Sequence, residues 1–415
     1  MPIRTDVVII GAGQAGLAMS HCLSARGIEH VVLERGRVGE RWLSERWPSL
    51  KLLSPNWMTR LPGLRLGGDP DGFMRAGEFV ATLDRYRDAI AAPVVTGCEV
   101  LSLGRGARGF HVRTSRGEWS ARAVVVATGA SDRPAVPGWS AGLAGDIQQI
   151  STQDYRWADE LAPGGVLVVG ASATGVQLAV EIRASGRPVT LSVGRHVRVP
   201  RRYRGRDLFY WLDQSGFLSE RRDPGADGRR LLALPSLQLV GSDDGHDIGL
   251  DLLAAEGVRI AGRALGASGG RVHFAQTLTA ERAAAEARRR TLLSVIDQHI
   301  ATTGPDVAQD PAAWEPPAAL PEGPEALDLR AAGIRTVVWA TGFVRRYPWL
   351  DLPVLDRFGE IVNRGGVTPV PGLYVLGLPF MRRRSSAFIY GAGRDAEVIA
   401  ATLVHRLAHL NRHAA

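Results

Sequence analysis

Twice in this chain a β-branched run passes straight into a glycine-rich turn and then into a helix. Thr5 to Ile10 (TDVVII) leads into Gly11–Gly16 (GAGQAG), and Leu17 to Arg26 has a helical composition that Gly27 stops. His30 to Leu33 (HVVL) is the next strand and completes a βαβ unit. Val166 to Val169 (VLVV) leads in the same way into Gly170–Gly175 (GASATG), with a helix over Val176 to Ala184 and a strand over Pro188 to Val193. Short uninterrupted apolar runs of this kind are the pattern of buried parallel strands. The expected fold class is therefore α/β, with two nested Rossmann-like dinucleotide-binding domains.

The remaining segments arrange themselves around these units. Gly77 to Ala91 reads as a helix, and Val94 to Leu103, Phe110 to Thr114 and Trp119 to Val126 as a strand meander. Thr279 to Ile300 is a long helix, Thr303 to Leu327 a Pro-, Ala- and Glu-rich connector, and Gly393 to Leu407 a C-terminal helix. Thr336 to Ala340 and Gly372 to Gly377 are further core strands. This order predicts a first domain over 1–160 that resumes at 325–415, interrupted by a second over 161–324. Gly39 to Gly77, rich in Trp and Pro, is a long irregular stretch of the kind that covers a site.

The two turns carry the chemistry. In GxGxxG the first glycine makes the tight turn, the second admits a pyrophosphate, and the third lets helix and strand pack closely. Gly11, Gly13 and Gly16 fill these positions, with Gln14 and Ala15 between them. The N–H groups at the start of the helix then face the phosphates. Glu34 follows Gly11 by 23 residues and suits the hydroxyls of an adenosine ribose. In the second turn Gly170, Ser172 and Gly175 match, with Ala173 and Thr174 between, and serine replaces the middle glycine. Arg195 stands 25 residues after Gly170, where an arginine suits a 2′-phosphate and an acid would repel it. That favours NADPH over NADH, although in an arginine-rich chain a solvated arginine is the competing reading. Ala127-Thr128-Gly129 and Ala340-Thr341-Gly342 both end strands, and their small residues let the chain cross beneath bound nucleotides. Gly391 to Asp395 (GAGRD) opens the last helix, whose positive end can face a flavin.

Composition narrows the function classes. There are two cysteines, Cys22 and Cys98, too far apart for a CxxC dithiol or a zinc knuckle. His405 and His409 have a metal-ligand spacing, but Arg406 stands where a metalloprotease helix needs Glu, and no metal site is expected. The net charge of +8 would fit a polyanion partner, yet Lys51 is the only lysine and no basic run interleaves with aromatics in a recognisable nucleic-acid module, so a general preference for arginine is the simpler reading and no nucleic-acid partner is expected. No run reaches the roughly 20 apolar residues of a membrane span. No signal peptide is read ahead of the first strand, so a cytoplasmic location is the expectation.

Across almost its whole length the chain resembles the flavin-containing, or class B, monooxygenases, and their short bacterial members above all. The motifs that carry the likeness are GAGQAG, Gly39-Glu40-Arg41-Trp42, Ser54-Pro55-Asn56-Trp57 with Leu61-Pro62-Gly63, Asp154-Tyr155, GASATG, TVVWATGF and GLYVLGLPF. The resemblance implies FAD in the first site and NADPH in the second. It also implies one oxygen of O₂ passing through a C4a-(hydro)peroxyflavin to a small-molecule substrate. Arg35, Arg41, Trp42, Val100 and Gly377 join the candidate cofactor contacts, and Asn56 becomes the candidate catalytic residue, beside the flavin oxygen. A structural Asn in a Pro-rich turn is the competing reading of Asn56.

One motif departs from the family. Its signature F-x-G-x3-H-x3-(Y/F/W) corresponds here to Leu143-Ala144-Gly145 through Tyr155, with Gln149 or Ser151 at the histidine position depending on the direction of counting. The ending Tyr155-Arg156-Trp157 also differs from that of Baeyer–Villiger members, which favours oxygenation of nitrogen or sulfur over ketone-to-ester chemistry. The alternatives are an NADPH oxidase or flavin-dependent reductase that inserts no oxygen, and Baeyer–Villiger oxidation. The substrate and the oligomeric state are not legible.

Overall fold

In the computed structural model, which describes residues 1–107, 109–221, 237–242, 244–304 and 306–414, two sheets stand side by side. The first has the order Val94–Val95, His30–Leu33, Ile3–Ile10, Gly117–Val126, Gly109–Thr114, Val100–Gly106, and Leu373–Val375 also pairs with Gly117–Val126. Ile3–Ile10 is parallel to both of its neighbours, with Ile10 opposite Leu33 and Val126. Gly109–Thr114 is antiparallel to Gly117–Val126 on one side and to Val100–Gly106 on the other, as the meander reading expects, but the strand read over Val94 to Leu103 is two: Val94–Val95 pairs in parallel with His30–Leu33 at the opposite edge. The second sheet is wholly parallel, in the order Arg259–Ala261, Val189–Ser192, Gly165–Val169, Ile334–Trp339, Gln148–Ser151. Val7, Val8, Ile9, Val166, Leu167 and Val168 are fully buried, as a parallel sheet covered on both faces requires. The doubly wound α/β class read from the sequence is the one observed.

The helices follow the turns closely. Gln14–Ser24 packs its buried face of Leu17, Ala18 and Met19 into the first core, and Ala173–Ala184 does the same in the second with Val176, Leu178 and Ala179. The last helix spans Ile389–Ala414 and starts ahead of the glycines at 391 and 393. Those glycines serve packing: a Cβ on Gly391 would lie 1.8 Å from the Ser385 carbonyl oxygen.

Two strands of the second sheet escape a periodicity reading. Gln148–Ser151 is short and half polar, and it forms the edge of the second sheet. Arg259–Ala261, only three residues long, closes the opposite edge. The chain passes between the sheets twice, and the passages run antiparallel, with Arg133 opposite Val344 and Pro134 opposite Phe343. The Thr341 hydroxyl donates to the Ala135 carbonyl at 2.8 Å and the Ala135 N–H to the Gly342 carbonyl at 2.9 Å, so the two crossings are tied to each other.

A third apolar cluster lies apart from the two sheets. Tyr203, Leu208, Phe209, Trp211 and Leu212 from the basic and aromatic residues 201–217 (RRYRGRDLFYWLDQSGF) pack on Leu292, Leu293, Ile296 and Ile300 of the helix Leu278–Thr303. Arg201 is 1% exposed there, its guanidinium against the rings of Phe73 and Phe209 at 5.0 and 5.4 Å. It donates to the Leu53 carbonyl at 2.8 Å and pairs with Asp207, so a buried charge joins this cluster to the loop at Leu53. A buried arginine is tolerated only when paired and hydrogen-bonded in this way.

Candidate functional site

The first turn is shaped by close approach of backbones. Gly11 has φ +106°, and a Cβ on it would stand 2.6 Å from the Ala127 carbonyl oxygen. A Cβ on Gly16 would stand 1.9 Å from the Gly11 carbonyl oxygen. The Cβ position of Gly13 has nothing within 4 Å, so the turn is open where a pyrophosphate would approach. No side chain caps the helix Gln14–Ser24, which leaves its leading N–H groups for an anion. The Glu34 carboxylate accepts the Ala12 N–H at 2.8 Å and the Gly36 N–H at 2.9 Å, which fixes it at the end of its strand beside the turn.

A cavity of about 480 Å³ opens at this turn. Gly11, Gly13, Gln14, Ala15, Glu34, Arg35, Arg41, Trp42, Val100, Ala127, Thr128, Gly129 and Gly377 all line it. Gly16 lies beneath the turn and does not. Arg41 is held by the Ser131 carbonyl and the Asp132 carboxylate, and Trp42 sits edge-on to Phe79 at 5.1 Å. Arg35 pairs with Glu45 at 3.3 Å. The sequence reading missed Arg46, Cys98, Asp132, Arg133, Arg346 and Ala387, which also line the cavity. Asp132 and Arg133 lie three and four residues past the first Thr-Gly pair, so their nearness to that crossing was the available signal. Arg46 lies over the Phe343 ring at 5.3 Å, and burial lowers its pKa while raising that of the Glu45 carboxyl. Ala387, two residues ahead of the last helix, brings the start of that helix to the cavity. The size and the polar, glycine-lined entry suit a dinucleotide of the FAD type.

The second turn repeats the packing. Gly170 has φ +110°, and its Cβ would stand 2.4 Å from the Ala340 carbonyl oxygen; that of Gly175 would stand 1.8 Å from the Gly170 carbonyl oxygen. Ala340 thus meets Gly170 as Ala127 meets Gly11, which explains why each glycine turn has an Ala-Thr-Gly partner. Ser172 takes the N-cap position of the helix Ala173–Ala184 without making a capping bond, and Thr174 is half-buried in its first turn. Arg195 is exposed, just beyond the strand Val189–Ser192. Arg288 donates to the carbonyl of the next residue, His196, at 2.8 Å, and Arg198 and Arg282 border a small cleft with His196. Burial lowers the His196 pKa, so the positive charge here comes from the arginines. Asp251 and Glu286 line the same cleft, each 3.9 Å from the Arg198 guanidinium; guanidinium groups so placed suit a phosphate. None of Gly170, Ser172, Ala173, Thr174, Gly175, Arg195, Ala340, Thr341 or Gly342 lines the 480 Å³ cavity.

Asn56 does not line that cavity either. Its amide donates to the Asp69 carbonyl at 3.0 Å and its oxygen accepts the Met74 N–H at 3.1 Å, so both ends are engaged by the backbone of one loop. In the altered signature, Gln149 accepts from the Trp339 indole at 3.2 Å, Ser151 donates to Asp154 at 2.6 Å, and Tyr155 donates to Glu181 at 2.9 Å. Gln149, Ser151 and Asp154 border a second, open cavity of about 620 Å³ that shares Arg35, Asp132 and Arg133 with the first. Cys22 and Cys98 are both buried and free, and burial pushes the Cys22 thiol up to about 11.

Comparison with known proteins agrees with this geometry. Residues 8–213 match the family model described as pyridine nucleotide-disulphide oxidoreductase. An uncharacterized CzcO-like oxidoreductase of Geobacillus kaustophilus is 32% identical over 95% of this chain and 97% of its own. The indole-3-pyruvate monooxygenase YUCCA1 of Oryza sativa is 31% identical over 49% of this chain and 51% of its own. Among solved structures, a flavin-containing monooxygenase from Stenotrophomonas maltophilia shares the fold with a TM-score of 0.65 at 20% identity, covering 98% of this chain and 99% of that one. The chain belongs to the family of the CzcO-like oxidoreductases and has the fold of the flavin-containing monooxygenases.

Proposed function

We propose that this protein is an NADPH-dependent FAD monooxygenase that places one oxygen of O₂ on nitrogen or sulfur of a small molecule. The observation that carries the reading is the pair of turns, alike in packing and opposite in the charge that follows: Glu34 after the first, Arg195 after the second. Gly11, Gly13, Gln14, Ala15, Glu34, Arg35, Arg41, Trp42, Val100, Ala127, Thr128, Gly129 and Gly377 would hold FAD, with Gly16 keeping helix and strand together beneath it. Gly170, Ser172, Ala173, Thr174, Gly175, Arg195, Ala340, Thr341 and Gly342 would hold NADPH. When bound and reduced, the flavin supplies the activation of O₂, as cofactors carry the hard chemistry in such enzymes.

The protein's own work is orientation. Arg195 with Arg198 and Arg288 receives the 2′-phosphate. Ser172 and the free helix start receive the pyrophosphate. The cluster of Tyr203, Phe209 and Trp211 is tied through Arg201 to the Leu53 carbonyl, which joins it to the loop of the first half. Asn56 shapes the 69–74 loop in this reading and does not touch oxygen. The FAD-binding unit would span 1–160 and 325–415 and the NADPH-binding unit 161–324, with the flanking strands Gln148–Ser151 and Ile334–Trp339 completing the second sheet.

Gln149 and Ser151 at the histidine position favour heteroatom oxygenation over the ketone reaction and keep an oxidase reading in play. Turnover with NADPH under ¹⁸O₂ and a panel of amines, sulfides and ketones separates these. Label in an N- or S-oxide is the expected result. Label in an ester, or hydrogen peroxide with no labelled product from any substrate, would replace this reading.

A further inference from the structure

Behind the second turn lies a buried amide that is only half used. Gln238 is 0% exposed, and its Nε2 donates to the Ala171 carbonyl at 2.6 Å, inside GASATG. Its Oε1 is buried with no hydrogen-bond partner among the described residues. Buried side-chain amides normally satisfy both ends, because an unpaired polar atom away from water costs free energy.

The placement of this residue is rigid. Leu237–Gln238 pairs in parallel with Val197–Arg198, directly after Arg195. Gln177, on the helix that the second turn opens, donates to the Leu239 carbonyl at 3.0 Å. Further on, a Cβ on Gly241 would stand 2.2 Å from the Leu52 carbonyl oxygen, so the segment runs from the second turn across to the first half of the molecule. In a trans peptide the C=O and the following N–H point opposite ways. Drawing the Ala171 oxygen toward Gln238 therefore turns the Ser172 N–H the other way, as the start of an anion-binding helix requires.

We propose that Gln238 is a positioning residue for the nicotinamide nucleotide: its nitrogen fixes the Ala171 carbonyl from behind the turn and so aims the Ser172 N–H at the nucleotide. This rests on the second turn being the NADPH site. The amide acts through the turn's backbone, so its loss weakens nucleotide binding and leaves the FAD site untouched.

Calorimetric titration of NADP⁺ into full-length, FAD-loaded protein tests this, with Gln238→Glu and Gln238→Leu beside the wild type. An ionised glutamate has no proton for the Ala171 carbonyl, so Gln238→Glu should bind NADP⁺ about tenfold more weakly at neutral pH. Lowering the pH from about 8 to about 5.5 protonates a carboxyl so deeply buried, restores the donor, and brings the variant back toward the wild type measured at the same pH. Gln238→Leu should show the same loss without recovery, and both variants should keep the wild-type flavin content and absorbance. Wild-type affinity in Gln238→Glu across that range, or a loss that acid does not reverse, overturns the proposal, as does parallel loss of FAD. If the wild type binds FAD and no NADP⁺, it is the nucleotide assignment of the second turn that falls.

Discussion

The two glycine turns are nearly one structure used twice, and they differ in what surrounds them. In each, the first glycine sits under an alanine carbonyl from an Ala-Thr-Gly segment and the last glycine sits on the carbonyl of the first. Around the first turn the fixing group is an acid, Glu34, that binds backbone N–H groups directly. Around the second it is a neutral amide, Gln238, that binds a carbonyl, with arginines beyond it. Backbone packing thus selects dinucleotides in general. The charge of the groups behind the turn selects which one, because a carboxylate answers ribose hydroxyls and a guanidinium answers a phosphate.

The largest expected effect comes from breaking one turn at a time. An alanine at Gly16 or Gly175 would press its methyl group into a backbone carbonyl, an overpacking that costs about 1–3 kcal/mol or more. Gly16→Ala should yield colourless or insoluble protein. Gly175→Ala should stay yellow and lose NADPH-driven flavin reduction while dithionite still reduces it. A Gly175→Ala protein that loses FAD as well would show that the two turns are not separable. Next in size, Arg195→Ala should lower kcat/KM for NADPH about 10- to 150-fold, the worth of a charge-assisted hydrogen bond, with little change for NADH. Equal losses with both would remove Arg195 from phosphate recognition and leave Arg198, Arg282 and Arg288 as the readers. The smallest effect is that of Asn56→Ala. Losing its two backbone contacts should lower the melting temperature by about 2–4 °C, with reduction and oxygen transfer within about twofold. An unchanged melting temperature with a large rise in hydrogen peroxide would place Asn56 at the oxygen site after all.

Much of this was legible in the sequence for a physical reason. Turns that need left-handed glycines, and parallel strands buried on both faces, leave local signatures, so Gly11, Gly170 and the runs into them could be read directly. Arg195 and Glu34 were found by their distance from those turns. Gln238 left no such mark, because it lies on a strand of two residues that reaches Ala171 only through pairing with Val197–Arg198. Arg201 opens the basic and aromatic run 201–217, and what makes it interior, the rings of Phe209 in that run and of Phe73 far from it in sequence, is set by the fold. Gln148–Ser151 is polar enough to pass for loop, since an edge strand need not be apolar throughout.

The position of Ile334–Trp339 between Gly165–Val169 and Gln148–Ser151 has a consequence for how the chain is made. During synthesis, the strand at 148–151 emerges long before the strand it must pair with, and it waits through nearly two hundred residues with an open edge. The first sheet is also incomplete until Leu373–Val375 arrives. Neither half can finish folding on the ribosome while the other is absent, and pairings this distant are slow to form. A chain cut short before residue 334 would therefore expose the edge of Gly165–Val169 as well, and aggregation is the expected fate of such an edge.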